Sequence, residues 1–347
     1  MVKYLMETKS IFPNYNLAEL HAHLGTSIAP ATYWQIAQER GFILPRRDYH
    51  EFVKYVMISP ENPVPLNTYF EKVYHSLLDK LSSGTMEVEK ATYETFSGAY
   101  RSNQVNLLEL RNNPMKHNHS AEVDLDQLIM AMVRGMEKAL MAYPKMSGGL
   151  IFCIAREFSP EQNKIIIQKA IKYHKRGVVG IDIAGPFTDS FNLEDYVEAF
   201  GAAKAAGLKL TAHCGEHRQD CEFMWQAINL LPLDRIGHGI YAAYDEAMME
   251  ELIRRDIVLE VCPLSNLATQ AVENVEQMRF IIRTLIERGV KFTISTDWPE
   301  MIVGNRLKEQ FRWLWENEIM TEKELIKCND LAFERSFVRG MGIEVYL

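Results

Sequence analysis

The side chains best suited to chemistry in this sequence are histidines and acids placed at the ends of apolar runs. His21 and His23 stand one residue apart at the end of the run 17–24. In a strand, alternate side chains share a face, so both rings can close on one metal ion. Three more residues follow β-like apolar runs: His213 in residues 210–216, His238 in residues 235–239, and Asp297 in Ser295-Thr296-Asp297. Three imidazoles and a carboxylate at one end of a fold make an open site that keeps a position for water, whose pKa falls to about 7 on zinc. Glu216 lies three residues after His213 and just past the strand, so it reaches the reacting centre without ligating, as a proton shuttle. The competing reading of Glu216 is an acid in the first turn of a helix. His238, flanked by Gly237 and Gly239, has little bulk beside it. It suits a hydrogen bond to the activated water, and the competing reading is a fourth histidine ligand.

Strand ends that repeatedly carry such residues are the mark of a parallel barrel. The apolar runs predict eight strands over residues 17–24, 105–111, 149–155, 178–184, 208–213, 235–237, 257–262 and 291–296. Helical periodicity fills most of the gaps, and a helical tail covers residues 305–339. The expected fold is therefore an α/β (β/α)8 TIM barrel in one domain, residues 1–347. A helical insertion follows the first strand, at about residues 42–104. Residues 66–78 of that insertion have apolar positions at helical spacing. Core packing accounts for them, and a cap over the barrel mouth, with Tyr69, Phe70 and Val73 walling a cavity, is compatible with it.

Period two also assigns the barrel interior. Glu19 shares the face of His21 and His23, Lys209 that of His213, and Glu109 that of Arg111. Buried charges must pair, so Glu19, Lys209, Glu109 and Arg111 are predicted to form inward ion pairs beneath the metal. His50, His75 and His174 are expected at the surface. His117-Asn118-His119 repeats the His-x-His spacing, but it follows Pro114 in a polar stretch without an adjacent acid and reads as a solvated loop. His217 is either close to the site or the start of a helix. The fourth strand, residues 178–184, has no lysine to bridge two metals, which favours a single ion.

Bulk properties narrow the partners. The net charge is −8 with no basic run, against a nucleic-acid partner. No apolar stretch is long enough to span a membrane, and the first 13 residues lack a signal-peptide pattern. Five cysteines without close pairing point to reduced thiols and a cytoplasmic setting.

The segments ELHAHL (19–24), LELRNNP (108–114), GIDIAG (180–185), HCGE (213–216), RIGHG (235–239), EVCPLSN (260–266) and STDWP (295–299) together resemble the adenosine/adenine/AMP deaminase family of metal-dependent hydrolases. The resemblance spans the whole barrel. It implies one divalent metal, zinc, held by His21, His23, His213 and Asp297, and hydrolytic release of ammonia from a small aminopurine-type substrate. Glu216 would protonate a ring nitrogen and His238 would steer the attacking water. Gly185 would offer its backbone amide to the ring, with His23 and Trp298 also facing the substrate. Three positions depart from the family pattern. Gly25 stands where an acid is usual, Trp298 replaces a second aspartate after the metal ligand, and Pro186-Phe187 follow Gly185 where acids are frequent. The catalytic set is intact and the substrate-reading set is altered, so the expected substrate is an aminoheterocycle other than plain adenosine. Two alternatives remain: hydrolysis of a ligand unrelated to adenosine, and a catalytically silent purine-binding relative.

Overall fold

The computed structural model describes residues 15–119, 122–188 and 190–338. Nine parallel strands run in chain order: β1 Leu17–His23, β2 Val105–Asn112, β3 Ser147–Ala155, β4 Val178–Ala184, β5 Lys209–Leu210, β6 His213–Cys214, β7 Arg235–His238, β8 Val258–Val261 and β9 Phe292–Ile294. They pair in sequence order in two sheets, β1 to β5 and β6 to β9. β5 and β6 are one predicted strand broken at Thr211-Ala212. The backbone bonds Thr211 N–H to Ile181 O (2.9 Å) and Gly237 N–H to Ala212 O (2.9 Å) carry the ladder across the break. At the other seam, Asp297 N–H donates to His21 O (2.7 Å) and His23 N–H to Asp297 O (3.1 Å). These bonds close an eight-membered barrel between its first and last strands.

The strand sequences explain the closure. Every residue of β2, β3 and β4 is buried, as in parallel strands covered on both faces. Helices Thr85–Asn103, Leu125–Ala142, Pro160–Tyr173, Val275–Arg288 and Glu322–Arg335 form parts of the outer layer. Pro30–Arg40 opens on Pro30 and stops at Gly41 in the left-handed region (φ 69°), as its punctuation predicts.

Within residues 42–104, helix Tyr49–Val56, helix Leu66–Tyr69 and the π-helical stretch Phe70–Leu78 lie before Thr85–Asn103, which packs on Leu125–Ala142 in the outer ring. The insertion is stitched to the loop after Asp297: Ile58 N–H donates to Met301 O and Val303 N–H to Ile58 O, both at 2.9 Å. Of the nine-residue π stretch, Val73 and Leu78 are buried.

The parity argument holds on β2 and fails in two places, at a barrel edge and at an irregularity within β1. Glu109 and Arg111 are fully buried and paired inside the barrel. Lys209 instead turns to solvent and meets Asp234 at 3.2 Å. It is the first residue of a two-residue strand at the barrel edge, where a four-carbon stem reaches water more cheaply than a buried partner. Glu19, also expected inside, lies instead between β1 and the outer helices, beside Thr95, Asn103 and Leu307, because an irregularity in β1 between Glu19 and Ala22 breaks the alternation with His21 and His23; no cation meets it. It accepts from Thr296 Oγ1 (2.7 Å), Thr296 N–H (3.1 Å) and His21 N–H (2.9 Å), and burial raises its pKa to about 7.

Candidate active site and metal centre

His21 and His23 leave β1 on the same side, and β6 and the end of β9 bring His213 and Asp297 to meet them. His213 Nε2 lies 3.1 Å from His21 Nε2 and 3.0 Å from His23 Nε2. Asp297 Oδ1 is 3.4 Å from His23 Nε2 and 3.7 Å from His21 Nε2. Donor atoms that share a tetrahedral ion at about 2.0–2.1 Å stand roughly 3.3–3.5 Å apart, so the spacing fits one metal.

The groups behind the rings decide their tautomers. Glu260 Oε2 receives a hydrogen bond from His21 Nδ1 at 2.8 Å, and Asp182 receives one from His213 Nδ1 at 3.0–3.1 Å. With each Nδ1 donating to a carboxylate, both Nε2 atoms present lone pairs to one another. A cation between them would relieve that repulsion. Burial also holds His21 and His23 well below the ordinary imidazole pKa, in the neutral form a metal requires. Asp297 is pushed up to about 7, first by burial and then by Glu216. A carboxylate so shifted sits where positive charge belongs. Gly237 lets the rings crowd together: a β-carbon there would lie 3.0 Å from His21 Cε1.

A charged layer supports this ring of ligands. Arg111 donates to Asp182 Oδ2 (3.0 Å), Glu260 Oε2 (2.7 Å) and Leu20 O (2.8 Å). Arg235 donates from Nε to Glu260 Oε1 (2.7 Å) and pairs with Glu109, while its guanidinium lies 3.5 Å over the Phe337 ring. Arg111 and Arg235 meet Glu109, Asp182 and Glu260, and with Arg156 they are three buried guanidiniums against five acids once Asp297 and Glu216 are included, an excess of negative charge that a divalent ion would offset.

Glu216 and His238 stand beside the ligands, 3.8 Å apart. Burial alone would raise Glu216, but His238, His217 and His213 outweigh it and hold the group below the usual carboxylate range. It therefore rests as an anion able to take a proton. Burial lowers His238 to about 4, so that ring is neutral. Asn266 Nδ2 contacts both Glu216 Oε1 (3.4 Å) and His238 Nδ1 (3.1 Å). A donor facing a carboxylate must be the amide nitrogen, which leaves Nδ1 of His238 as acceptor and its proton on Nε2, toward the site. His238 groups with His21, His213 and Asp297 within 4.8 Å. That cluster holds His238 and not His23, so a ligand position for His238 has the geometry it needs, while the Nε2–H tautomer suits a hydrogen-bonding role. His238 and Asp297 both hold left-handed backbone (φ 62° and 61°), strain of about 1–3 kcal/mol each that is typical of functional positions.

Of the residues assigned to substrate, Gly185 adopts φ +90° and its carbonyl accepts from Arg156, whose guanidinium also donates to His213 O. Trp298 is 3% exposed, with its ring 4.8 Å from Tyr69 and 5.6 Å from Phe70. His23, a quarter exposed, is the most open of the four predicted ligands.

Several participants were not assigned from sequence: Glu260, Asp182, Arg235, Ser265, Asn266 and Arg156. A lone acid in an apolar run, as in Gly180-Ile181-Asp182-Ile183, is a usable signal for the first two. Ser265, which donates to Asp297 Oδ2 at 2.6 Å, and Asn266 come from the short helix Pro263–Ala268, for which periodicity offers no cue.

The second His-x-His is not a solvated loop throughout. His117 is 2% exposed, bonded to Ser82 O (3.2 Å), and lowered to about 4 by burial. An acid does lie nearby, since Asp79 Oδ2 is 3.2 Å from both His119 Nε2 and His75 Nδ1. Asp79 comes from the insertion, too distant in sequence to be seen as a neighbour. His50 and His75 are exposed as expected, and His174 is half-buried against Val178 O. His217 caps the turn Arg218–Asp220. Among the described residues no helix is long and apolar enough to cross a membrane.

The sequence model for the family described as adenosine deaminase matches residues 16–341. The adenosine deaminase of Vibrio vulnificus (strain CMCP6) is 28% identical over 319 residues, which cover 92% of this chain and 93% of that protein. Among solved structures, the adenine deaminase from Arthrobacter aurescens superposes with a TM-score of 0.79 at 22% identity, covering 93% and 94% of the two chains. The apo N6-methyl-AMP deaminase from Arabidopsis thaliana does so with a TM-score of 0.76 at 21% identity, covering 94% of each. At such identities the structural likeness establishes the barrel fold.

Proposed function

Because the chain belongs to the adenosine deaminase family, we propose that it hydrolyses the exocyclic C–N bond of an adenosine-like purine and releases ammonia. The reading gives His21, His23, His213 and Asp297 to one divalent ion, zinc, which when bound supplies a nucleophile by lowering the pKa of a water to about 7. Glu216, an anion at rest, accepts the water's proton and delivers it to the ring nitrogen beside the amino-bearing carbon. The Nε2–H of His238 orients the attacking oxygen. Asn266 fixes both groups, and Ser265 holds Asp297 in its rotamer. Gly185 and Arg156 form one wall, and the 42–104 insertion caps the mouth. A cytoplasmic site of action is supported by five free cysteines.

The observation that carries this reading is the opposed Nε2 atoms of His21 and His213 at 3.1 Å, each ring backed by a carboxylate, with Glu216 beside them. A silent binding protein has no need of an acid placed for proton transfer. The test is ammonia release from adenine, adenosine, AMP and N6-methyl-AMP, before and after chelation and zinc readdition. Turnover that disappears with the metal and returns with it is expected. Protein free of metal and inert on the whole panel would sink the proposal.

A further inference from the structure

Gly25, two residues after a metal ligand, needs to be glycine for steric and not backbone reasons. Its backbone is in the short helix Leu24–Ser27, outside the left-handed region. A β-carbon there would run into the Tyr74 hydroxyl and lie 2.7 and 2.8 Å from Cε2 and Cζ of that ring. Tyr33 pins the same peptide by donating to Gly25 O at 2.6 Å. The phenol of Tyr74 therefore fills the space that a side chain at position 25 would enter.

Tyr74 belongs to the π-helical stretch Phe70–Leu78, whose wider turn re-aims side chains and is a frequent feature of functional sites. The same stretch lays Phe70 against Trp298, and Tyr69 just before it does likewise. One segment of the insertion thus covers two positions, 25 and 298, that flank metal ligands and are acids in the family pattern. Among the described residues the protein offers the Tyr74 hydroxyl and the Trp298 indole N–H no hydrogen bond. Burial and then Asp79 push the Tyr74 pKa well above the ordinary phenol value, so it stays a donor. Where carboxylates would accept hydrogen bonds, this wall has O–H and N–H groups to give.

We propose that Tyr74, admitted by Gly25, determines specificity by donating a hydrogen bond to an acceptor on the part of the substrate remote from the reacting carbon. The acceptor is a ring nitrogen of a free aminopurine base or a phosphoryl oxygen of a nucleotide, and a sugar ending in a free hydroxyl is disfavoured. This rests on the aminohydrolase reading above. The experiment compares kcat/KM for adenine, AMP and adenosine in the wild type and Tyr74→Phe. The wild type favours adenine or AMP over adenosine by about tenfold or more, and the variant loses about tenfold on the favoured substrate with little change on adenosine. Which of adenine and AMP responds identifies the acceptor. The double variant Gly25→Asp/Tyr74→Ala, with an acid restored and its space cleared, shifts the ratio toward adenosine. Equal losses on all three substrates, or a wild type that prefers adenosine, overturn the proposal. A wild type free of metal and inert on these three and on N6-methyl-AMP defeats the aminohydrolase reading instead. The Kd values of hypoxanthine, IMP and inosine for wild type and Tyr74→Phe then decide on Tyr74 by the same ratios, and absence of binding overturns it.

Discussion

The floor of the barrel and its rim hold their polar groups by opposite means. At the floor, Arg111, Arg235, Glu109, Glu260 and Asp182 are essentially without solvent contact, and each charge is met by another. Removing one partner strands another in a low-dielectric interior, at a cost of about 3–5 kcal/mol. At the rim, Gly25, Tyr74, Trp298, Tyr69 and Phe70 meet through ring contacts and fitted volume. Shape can be exchanged there pairwise without leaving a bare charge. On the proposed reading, the contrast lets one chain keep its catalytic residues while altering what they are offered.

Four experiments would break or sharpen that contrast. Glu216→Gln should lower turnover by about 10²–10⁴-fold while metal content, measured by mass spectrometry, stays at wild-type level. Retained activity would remove Glu216 from proton transfer. Arg235→Met leaves Glu109 and Glu260 short of their cation, and urea denaturation should register a loss of about 3–5 kcal/mol. A loss within experimental error would show that the floor tolerates exchange as the rim does. In Asp182→Asn, His213 loses the carboxylate that fixes its tautomer, and metal affinity in a competition titration should fall by about 10–100-fold. An unchanged affinity would mean that the ring is oriented by packing alone.

The smallest effect belongs to His117, buried under the insertion. Its folded pKa of about 4 lies below the unfolded value of 6.5, so between those limits the unfolded chain binds the extra proton. Its contribution is complete above about pH 6.5 and declines as pH falls toward 4, by about 1 kcal/mol between pH 6.5 and 5.5. Urea midpoints across that range should show a shallower slope for His117→Gln than for the wild type. Identical slopes would place the titration elsewhere.

Much of the site is legible in the chain itself because strand periodicity is local. His21 and His23 share a face by period two, and His213 and Asp297 each end an apolar run that reads as a strand. Arg111 and Glu109 follow from the same rule. Lys209 escapes it because parity fixes where a Cβ points and says nothing of a long stem at a barrel edge. Ser265 and Asn266 escape it because a six-residue helix carries no periodic signal.

The sequence by itself indicated the barrel, through its succession of apolar runs, and singled out His21, His23, His213, Asp297 and Glu216 as candidates, since each stands at or just past the end of such a run. Only the tertiary structure decided the tautomers of His21, His213 and His238, the burial of His117 beneath the insertion, and the meeting of Tyr74 with Gly25. Those depend on which distant segments the closed barrel brings together, and that is settled by packing many side chains at once.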